Sequence, residues 1–295
     1  MSKVSLAKHT DSYQGTLKVL VPLKKDLEEK IKDLEKIVIK INFVTTKKKL
    51  ATTPVESVRA FVDFIESFYS GEIVIAEEAS IGNTKQGFQD HGFVKLANEK
   101  KQVSLFNSAD DAVKTIQINY PHGSMTLPLA KIYTDSRFVV SMCRAKTHDT
   151  VVVTLSLKNL LVGAIQGGLG ERGKIHQGMD INWILKEIAK FTYPNLSIID
   201  ATVGMEGDGP SNGTPINSNW LLTSLDPLAA DSIATYLMGF DINDVGYLNL
   251  IKELNLGKLY PQDESEIKII GQNLDSLRKN FKPHDSYERQ RLWKE

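Results

Sequence analysis

The chain has 295 residues, 41% hydrophobic and 24% charged, and its 36 basic and 36 acidic side chains leave no formal net charge. That length supports one large α/β domain or two intimately packed ones, and the missing basic surplus argues against a general nucleic-acid binder, whose affinity comes from neutralising phosphates. The one cysteine, Cys143, rules out an intrachain disulfide and a four-cysteine iron–sulfur cluster; with no signal-like leader and no run of about 18 apolar residues, a cytoplasmic protein without a membrane span is expected.

Leu17 to Val21 reads as a first strand, and Lys24 to Lys36, with Leu27, Ile31 and Leu34 at helical spacing, as a surface helix. Ile37 to Phe43 is a β-branched strand suited to a parallel sheet, with Lys40 and Asn42 at its end. Thr53-Pro54-Val55-Glu56 reads as a capping box with Pro at the first helical position, opening a helix stopped by Gly71. The strand Glu72 to Glu77 completes a β-α-β unit. Glu77 and Glu78, at its carboxyl end, face either a ligand or solvent.

Phe88 to Lys100 reads as a helix, Val103 to Phe106 as a strand, and Asp110 to Pro128 as mixed β turning at Pro121-His122-Gly123. Phe138 to Met142 is the next core strand. Asp180 is a plausible N-cap for a helix to Phe191, and Leu196 to Ala201 and Trp220 to Ser224 read as strands. Asp226-Pro227 caps an apolar helix to Met238, ended by Gly239. A surface helix, Asp244 to Leu254, a strand, Glu266 to Ile270, and a loosely packed charged tail, Lys279 to Glu295, complete the chain.

The chemistry concentrates between Phe138 and Met179. Arg144, Lys146 and His148 alternate at period 2 and share one face of an extended segment. Lys158 and Asn159 follow, then a glycine-rich loop carrying Arg172 and His176. Gly168 to Lys174 fits both G-x-G-x-x-G and G-x-x-x-x-G-K, but Ile175 replaces the magnesium-binding Ser/Thr and no strand precedes it. A flexible loop over a site is the better reading.

Cationic groups interrupting apolar sequence need partners, and a cleft of them suits a carboxylate or phosphate. Lys40, Asn42, Arg144, Lys158, Asn159 and Arg172 are therefore candidate substrate-binding residues. His148, His176 and Lys146 are candidate acid–base groups. Asp200, Glu206 and Asp208 sit beside glycines near a strand end and suit either a divalent cation or a backbone-bonded turn. Asp231, inside an apolar helix, needs a partner or a cleft. Cys143, ending an apolar run, reads as an inert buried thiol.

Several segments in order resemble the family called domain of unknown function 362. They are VIKINF with Lys40 and Asn42, IVIAEE, RAKTH with Lys146 and His148, and TLSLKNLLVG with Ser156, Lys158 and Asn159. Arg172 and His176, LSIIDATVGMEGDGP and SLDPLAADSIATYLMGFD follow, so the likeness spans roughly Ile37 to Gly257. The resemblance implies a single α/β domain with a Rossmann-like, mostly parallel mixed sheet and helices on both faces. Some members carry a ferredoxin-like cluster segment, whose cysteines this chain lacks. The lactate-racemase-type N-terminal domain offers an analogy in its use of His and Lys, and no more than that.

The expectation is an enzyme acting on a small anionic molecule. The alternative is a non-catalytic ligand-binding or redox-accessory protein. Any cofactor beyond a divalent metal, and the oligomeric state, are left open.

Overall fold

The computed structural model describes residues 1–177 and 180–294; Gly178 and Met179, which close the central stretch, lie outside the described residues. The strands in chain order are β1 (Ser2–Lys8), β2 (Lys36–Lys40), β3 (Glu72–Glu77), β4 (Val103–Asn107), β5 (Val113–Tyr120) and β6 (Gly123–Ala130). They continue with β7 (Val139–Thr147), β8 (Val153–Thr154), β9 (Leu196–Glu206), β10 (Thr214–Ile216), β11 (Trp220–Ser224) and β12 (Ile267–Gly271). Ten of these form one sheet in the order β12-β1-β11-β9-β7-β2-β3-β4, with β10 added to β9 and β8 to β7; β5 and β6 pair as a separate hairpin.

From β4 through β3, β2 and β7 to β9 every pairing is parallel, and β11 runs antiparallel to both β9 and β1. The chain moves outward from β2 to β3 and β4, then returns to β7 beside β2 and moves the other way to β9. The β2–β7 seam is thus where the strand order reverses, and open α/β sheets gather ligands at the carboxyl ends of such a seam.

Alternation along β2 sends Ile37 and Ile39 to one core and Val38 to the other. The first core packs under Ser12–Leu20, Lys24–Ile31, Val55–Ile65 and Phe93–Glu99. The second packs under Ser156–Gly163, Ile181–Ala189, Pro227–Leu237 and Gly246–Lys252. Each fully buried Val, Ile or Leu contributes about 1.5–3 kcal/mol of hydrophobic stabilisation, so the faces fix the register. The fold is α/β, with a mostly parallel mixed sheet covered on both sides.

Several sequence expectations are corrected. Leu17–Val21 is not a strand: it ends the helix Ser12–Leu20, whose N-cap Asp11 accepts the Gln14 N–H. A five-residue apolar run does not distinguish the two periods. The first strand is Ser2–Lys8 instead. Thr53 forms no capping box, because its hydroxyl donates to Met142 O and accepts from Asn42 N–H, leaving the helix Val55–Ile65 without a side-chain cap. Asp180 does stand at the N-cap of Ile181–Ala189, but its carboxylate makes no capping bond and pairs with His122 instead. The segment 88–100 divides at Gly92, which takes a left-handed φ of 84° between two short helices.

The glycine-rich loop is a helix, Gly168–Ile175. The charged tail stays largely exposed but is anchored at two points, where Phe281 and Gln290 are buried. Helix Gly246–Lys252 buries most of its length instead of lying on the surface.

Candidate functional site

Strand β7 runs on to Thr147, so Arg144 and Lys146 are strand residues, and His148 follows at the carboxyl end. Lys40 ends β2 and Glu77 ends β3. Between these strand ends and the helix Ser156–Gly163 lies a cavity of about 290 Å³. Lys40, Asn42, His148, Lys158, Arg172 and His176 are among its walls. A larger groove of about 930 Å³ lies at the opposite strand ends, around Lys36 and Glu72, and none of the predicted site residues reaches it.

Asn159 staples the helix to the seam. Its Nδ2 donates to Lys40 O, Ser141 Oγ and Met142 O, at 3.0–3.3 Å, and its Oδ1 accepts from Asn42 Nδ2 at 3.0 Å. Asp231 fixes the same helix from behind, its carboxylate accepting the N–H groups of Ser156 and Leu157 at 3.1 and 2.8 Å. The expectation that Asp231 needs a partner is met by this helix terminus. Burial pushes its carboxyl up to about 8, against the pull of those two donors.

Most of the cations the sequence offers to a substrate are already engaged. Lys40 Nζ is 2.6 Å from the Glu77 carboxylate, both side chains 1–2% exposed, and also donates to Ile41 O. Burial drives Lys40 down and Glu77 up, each opposed by the partner's charge. Arg172 donates Nε to Ile165 O, Nη1 to Glu78 O and Ser80 Oγ, and Nη2 to Gly163 O, with Glu78 Oε2 at 3.4 Å from Nη2. Glu78 also accepts the Gly167 N–H at the start of the Gly168–Ile175 helix, so that terminus holds the protein's own carboxylate. Glu77 and Glu78 are therefore buried counter-charges, and the solvated reading is overturned.

Arg144 turns away from the cavity and donates to the carbonyls of Thr52 and Val203. Lys146 is also outside the lining: its Nζ donates to Asn42 Oδ1 and Ala51 O. Burial lowers this lysine to about 7, and the neighbouring Arg144 and Lys158 charges reinforce the shift. Cys143 is buried, and burial raises its thiol well above the ordinary range, which makes it inert.

Lys158, His148 and His176 do converge. Lys158 Nζ lies 2.8 Å from His148 Nε2 and 3.3 Å from His176 Nε2, and the rings stack with centroids 5.5 Å apart. His176 Nδ1 is 2.7 Å from Arg172 O, which can only accept, so Nδ1 carries the proton and Nε2 turns a lone pair toward Lys158. Burial brings Lys158 down to about 7, with Asp149 opposing. Burial and then the Lys158 charge lower His148 to about 3 and His176 to about 4, keeping both rings neutral.

The acidic trio does not converge. Asp200 accepts from Ser57 and Thr202, Glu206 accepts the Lys282 N–H, and Asp208 pairs with His284. Among the described residues no three His, Cys, Asp or Glu side chains are placed to hold a metal. The turn reading fits these residues, and the cation reading has no geometric support.

Two residues escaped the sequence reading. Asp149 stands 2.9 Å from His148 Nδ1, and only its place next to a candidate histidine hinted at it. Gln290, in the tail, accepts from Val152 N and donates to His148 O at 3.0 Å. No local signal marks it.

The model of a family described as Domain of unknown function (DUF362) matches residues 37–236. A thylakoid-associated protein of Synechocystis sp. is 24% identical over 216 residues, 72% of this chain and 65% of that protein, so the chain spans about two thirds of that relative. The apoprotein of lactate racemase from Thermoanaerobacterium thermosaccharolyticum superposes with a TM-score of 0.51 at 14% identity, over 81% of this chain and 57% of that one. That likeness is one of fold alone. Among the described residues no helix is long and apolar enough to cross a membrane.

Proposed function

Because the chain belongs to the DUF362 family, a domain of unknown function, we propose a role built on the cavity itself: it binds a small carboxylate or phosphate and moves a proton on it through Lys158. The observation that carries this reading is the placing of Lys158, a buried ammonium held by two imidazole lone pairs rather than by a carboxylate. A group near 7 is available in both protonation states at neutral pH, which suits general acid–base work. Two of its hydrogens are directed at His148 and His176, leaving the third for a ligand oxygen.

An arriving anion favours the ammonium form by direct charge pairing. Lys40 and Arg172, neutralised by Glu77 and Glu78, shape the wall and polarise it without competing for the ligand. At about 290 Å³ the cavity falls just below the roughly 300 Å³ at which drug-sized ligand sites begin, which suits a small anion. The fold neighbour is named for lactate, which is itself a carboxylate.

The test is a thermal-shift screen of small carboxylates and phosphates on the wild type and Lys158→Met, followed by NMR of each hit in D₂O. The proposal expects ligand stabilisation that Lys158→Met loses, and carbon-bound deuterium appearing only with the wild type. Stabilisation that survives Lys158→Met sinks the binding role. Binding without any deuterium exchange or turnover sinks the proton-transfer role and favours the non-catalytic ligand-binding protein.

A further inference from the structure

Nδ1 of His148 faces partners of opposite kind. Asp149 Oδ1, an acceptor, is 2.9 Å away; the Thr150 backbone N–H, a donor, is 3.0 Å away, and the Thr150 hydroxyl is also at 3.0 Å. One ring nitrogen cannot satisfy both at once: with a proton it serves Asp149, and without one it serves Thr150. On the other edge of the ring, Nε2 meets Lys158 Nζ, which donates as an ammonium and accepts as an amine.

From this pairing we infer that Lys158, His148 and Asp149 form a proton relay that links the cavity to solvent. In the resting state Lys158 donates to Nε2, and Nδ1–H donates to the Asp149 carboxylate. On transfer, the Nζ–H bond breaks and Nε2–H forms, while Nδ1–H breaks and the proton passes to Asp149 Oδ1 and on to water. The ring ends neutral with its tautomer reversed, and the vacated Nδ1 lone pair takes the Thr150 N–H. Each partner of Nδ1 thus belongs to one of the two states.

The surroundings fit such a path. Asp149 and His176 line both the 290 Å³ cavity and a second cavity of about 470 Å³ beyond them, where Arg289 also lies. The Asp149 side chain is 50% exposed, an outlet that the 3%-exposed His148 lacks. Burial pushes Asp149 up, but the His148 hydrogen bond and the charges around it outweigh this and hold it below the usual carboxylate range, so it rests as an acceptor.

The turn that sets these atoms is braced. His148 N–H donates to Val152 O at 2.9 Å, and Val152 takes a left-handed φ of 67°, a strained conformation for a β-branched residue. Gln290 clamps both sides of it.

The relay rests on the proposed function in taking Lys158 as the proton carrier. Its test needs no substrate, so failure of the relay and failure of the substrate reading are distinguishable. The full chain, labelled with ¹⁵N in His and Lys, is studied by NMR, the tautomer on both sides of neutral pH and the ammonium exchange below it, with the His148 and Lys158 signals assigned from His148→Gln and Lys158→Met.

The relay expects Nδ1–H on His148 in the wild type below neutral pH, where the Lys158 ammonium donates to Nε2. It expects Nε2–H in Asp149→Ala once the pH passes the Lys158 value of about 7, where the amine can accept from Nε2–H and the Thr150 backbone N–H faces Nδ1. Asp149→Asn can still accept from Nδ1–H but cannot carry the proton onward. It should keep the tautomer and slow solvent exchange of the Lys158 ammonium hydrogens severalfold. If Asp149→Ala does not fold, the Asp149→Asn exchange rate decides alone. An Nε2–H ring in the wild type below neutral pH, an unchanged tautomer in Asp149→Ala above it, or wild-type exchange in Asp149→Asn overturns the relay.

Discussion

Arg172 and Glu78 meet at 3.4 Å inside the protein, their side chains 4% and 9% exposed, and the same carboxylate accepts the N–H that opens the Gly168–Ile175 helix. A guanidinium with this partner and carbonyl acceptors on its other donors is structural rather than a free anion receptor. Arg172→Met should therefore cost stability on the order of 3–5 kcal/mol, because it strands a buried carboxylate. Urea denaturation checks this. Loss of ligand binding with unchanged stability would return Arg172 to the substrate.

The difference between Arg172 and Lys158 marks where the sequence stops being informative. The strands β2, β3, β4, β7, β9 and β11 are legible because they are apolar, β-branched runs bounded by turn residues. Ser2–Lys8 alternates serine and lysine with Val4, Leu6 and Ala7, and offers no such run. Lys40, Lys146, His148, Lys158, Asn159, Arg172 and His176 are legible as one region because polar groups in apolar sequence demand partners. Which of them remain available is not legible, since the partners that engage them come from afar: Glu77 lies 37 residues from Lys40, and Glu78 lies 94 from Arg172. Gln290 reaches His148 across 142 residues, for which no local pattern exists.

Lys40 and Glu77 supply a second prediction. Removing either partner alone leaves one buried charge, so Lys40→Met and Glu77→Leu should each be strongly destabilising, on the order of 3–5 kcal/mol. The double variant should fall well short of their sum, because apolar groups of similar volume replace a buried pair at little cost. A double-mutant cycle measured by chemical denaturation decides it. Additive costs would mean that the two groups are stabilised independently.

Gln290 completes the hydrogen bonding of the 148–152 turn. Gln290→Ala leaves the buried Val152 N–H and His148 carbonyl without partners, which should cost about 1–3 kcal/mol. Hydrogen exchange at the Val152 amide should rise with it. An unchanged amide would show that the tail merely rests on the turn.

His148 and His176 make the protein acid-sensitive. Their folded values, about 3 and about 4, lie below the ordinary 6.5, so the unfolded chain binds protons that the folded one refuses. The sign follows: their contribution is fully present above 6.5 and is lost as the pH falls toward 4 and 3. The His148→Gln, His176→Gln double variant should show a flatter stability curve across that window. Equal slopes for both proteins would show that the rings are protonated in the fold.

Lys158 works in the opposite pH range. Its value falls from 10.5 to about 7 because burial disfavours the ammonium. Below 7 the folded and unfolded chains both hold the proton, and the cost of burying the charge is present in full. Between 7 and 10.5 the unfolded chain holds it and the folded chain releases it, so stability rises with pH there. Lys158→Met has neither the cost nor the slope. It should therefore be more stable than the wild type at neutral pH, with the advantage shrinking toward pH 10 by about 1.4 kcal/mol for each pK unit of the shift. A buried ammonium without a carboxylate partner costs stability, so a wild type that keeps this amine between two imidazoles keeps it against its own stability, which fits a working amine. A Lys158→Met curve parallel to that of the wild type would mean an ordinary ammonium, and the case for Lys158 as a proton carrier at neutral pH would fall with it.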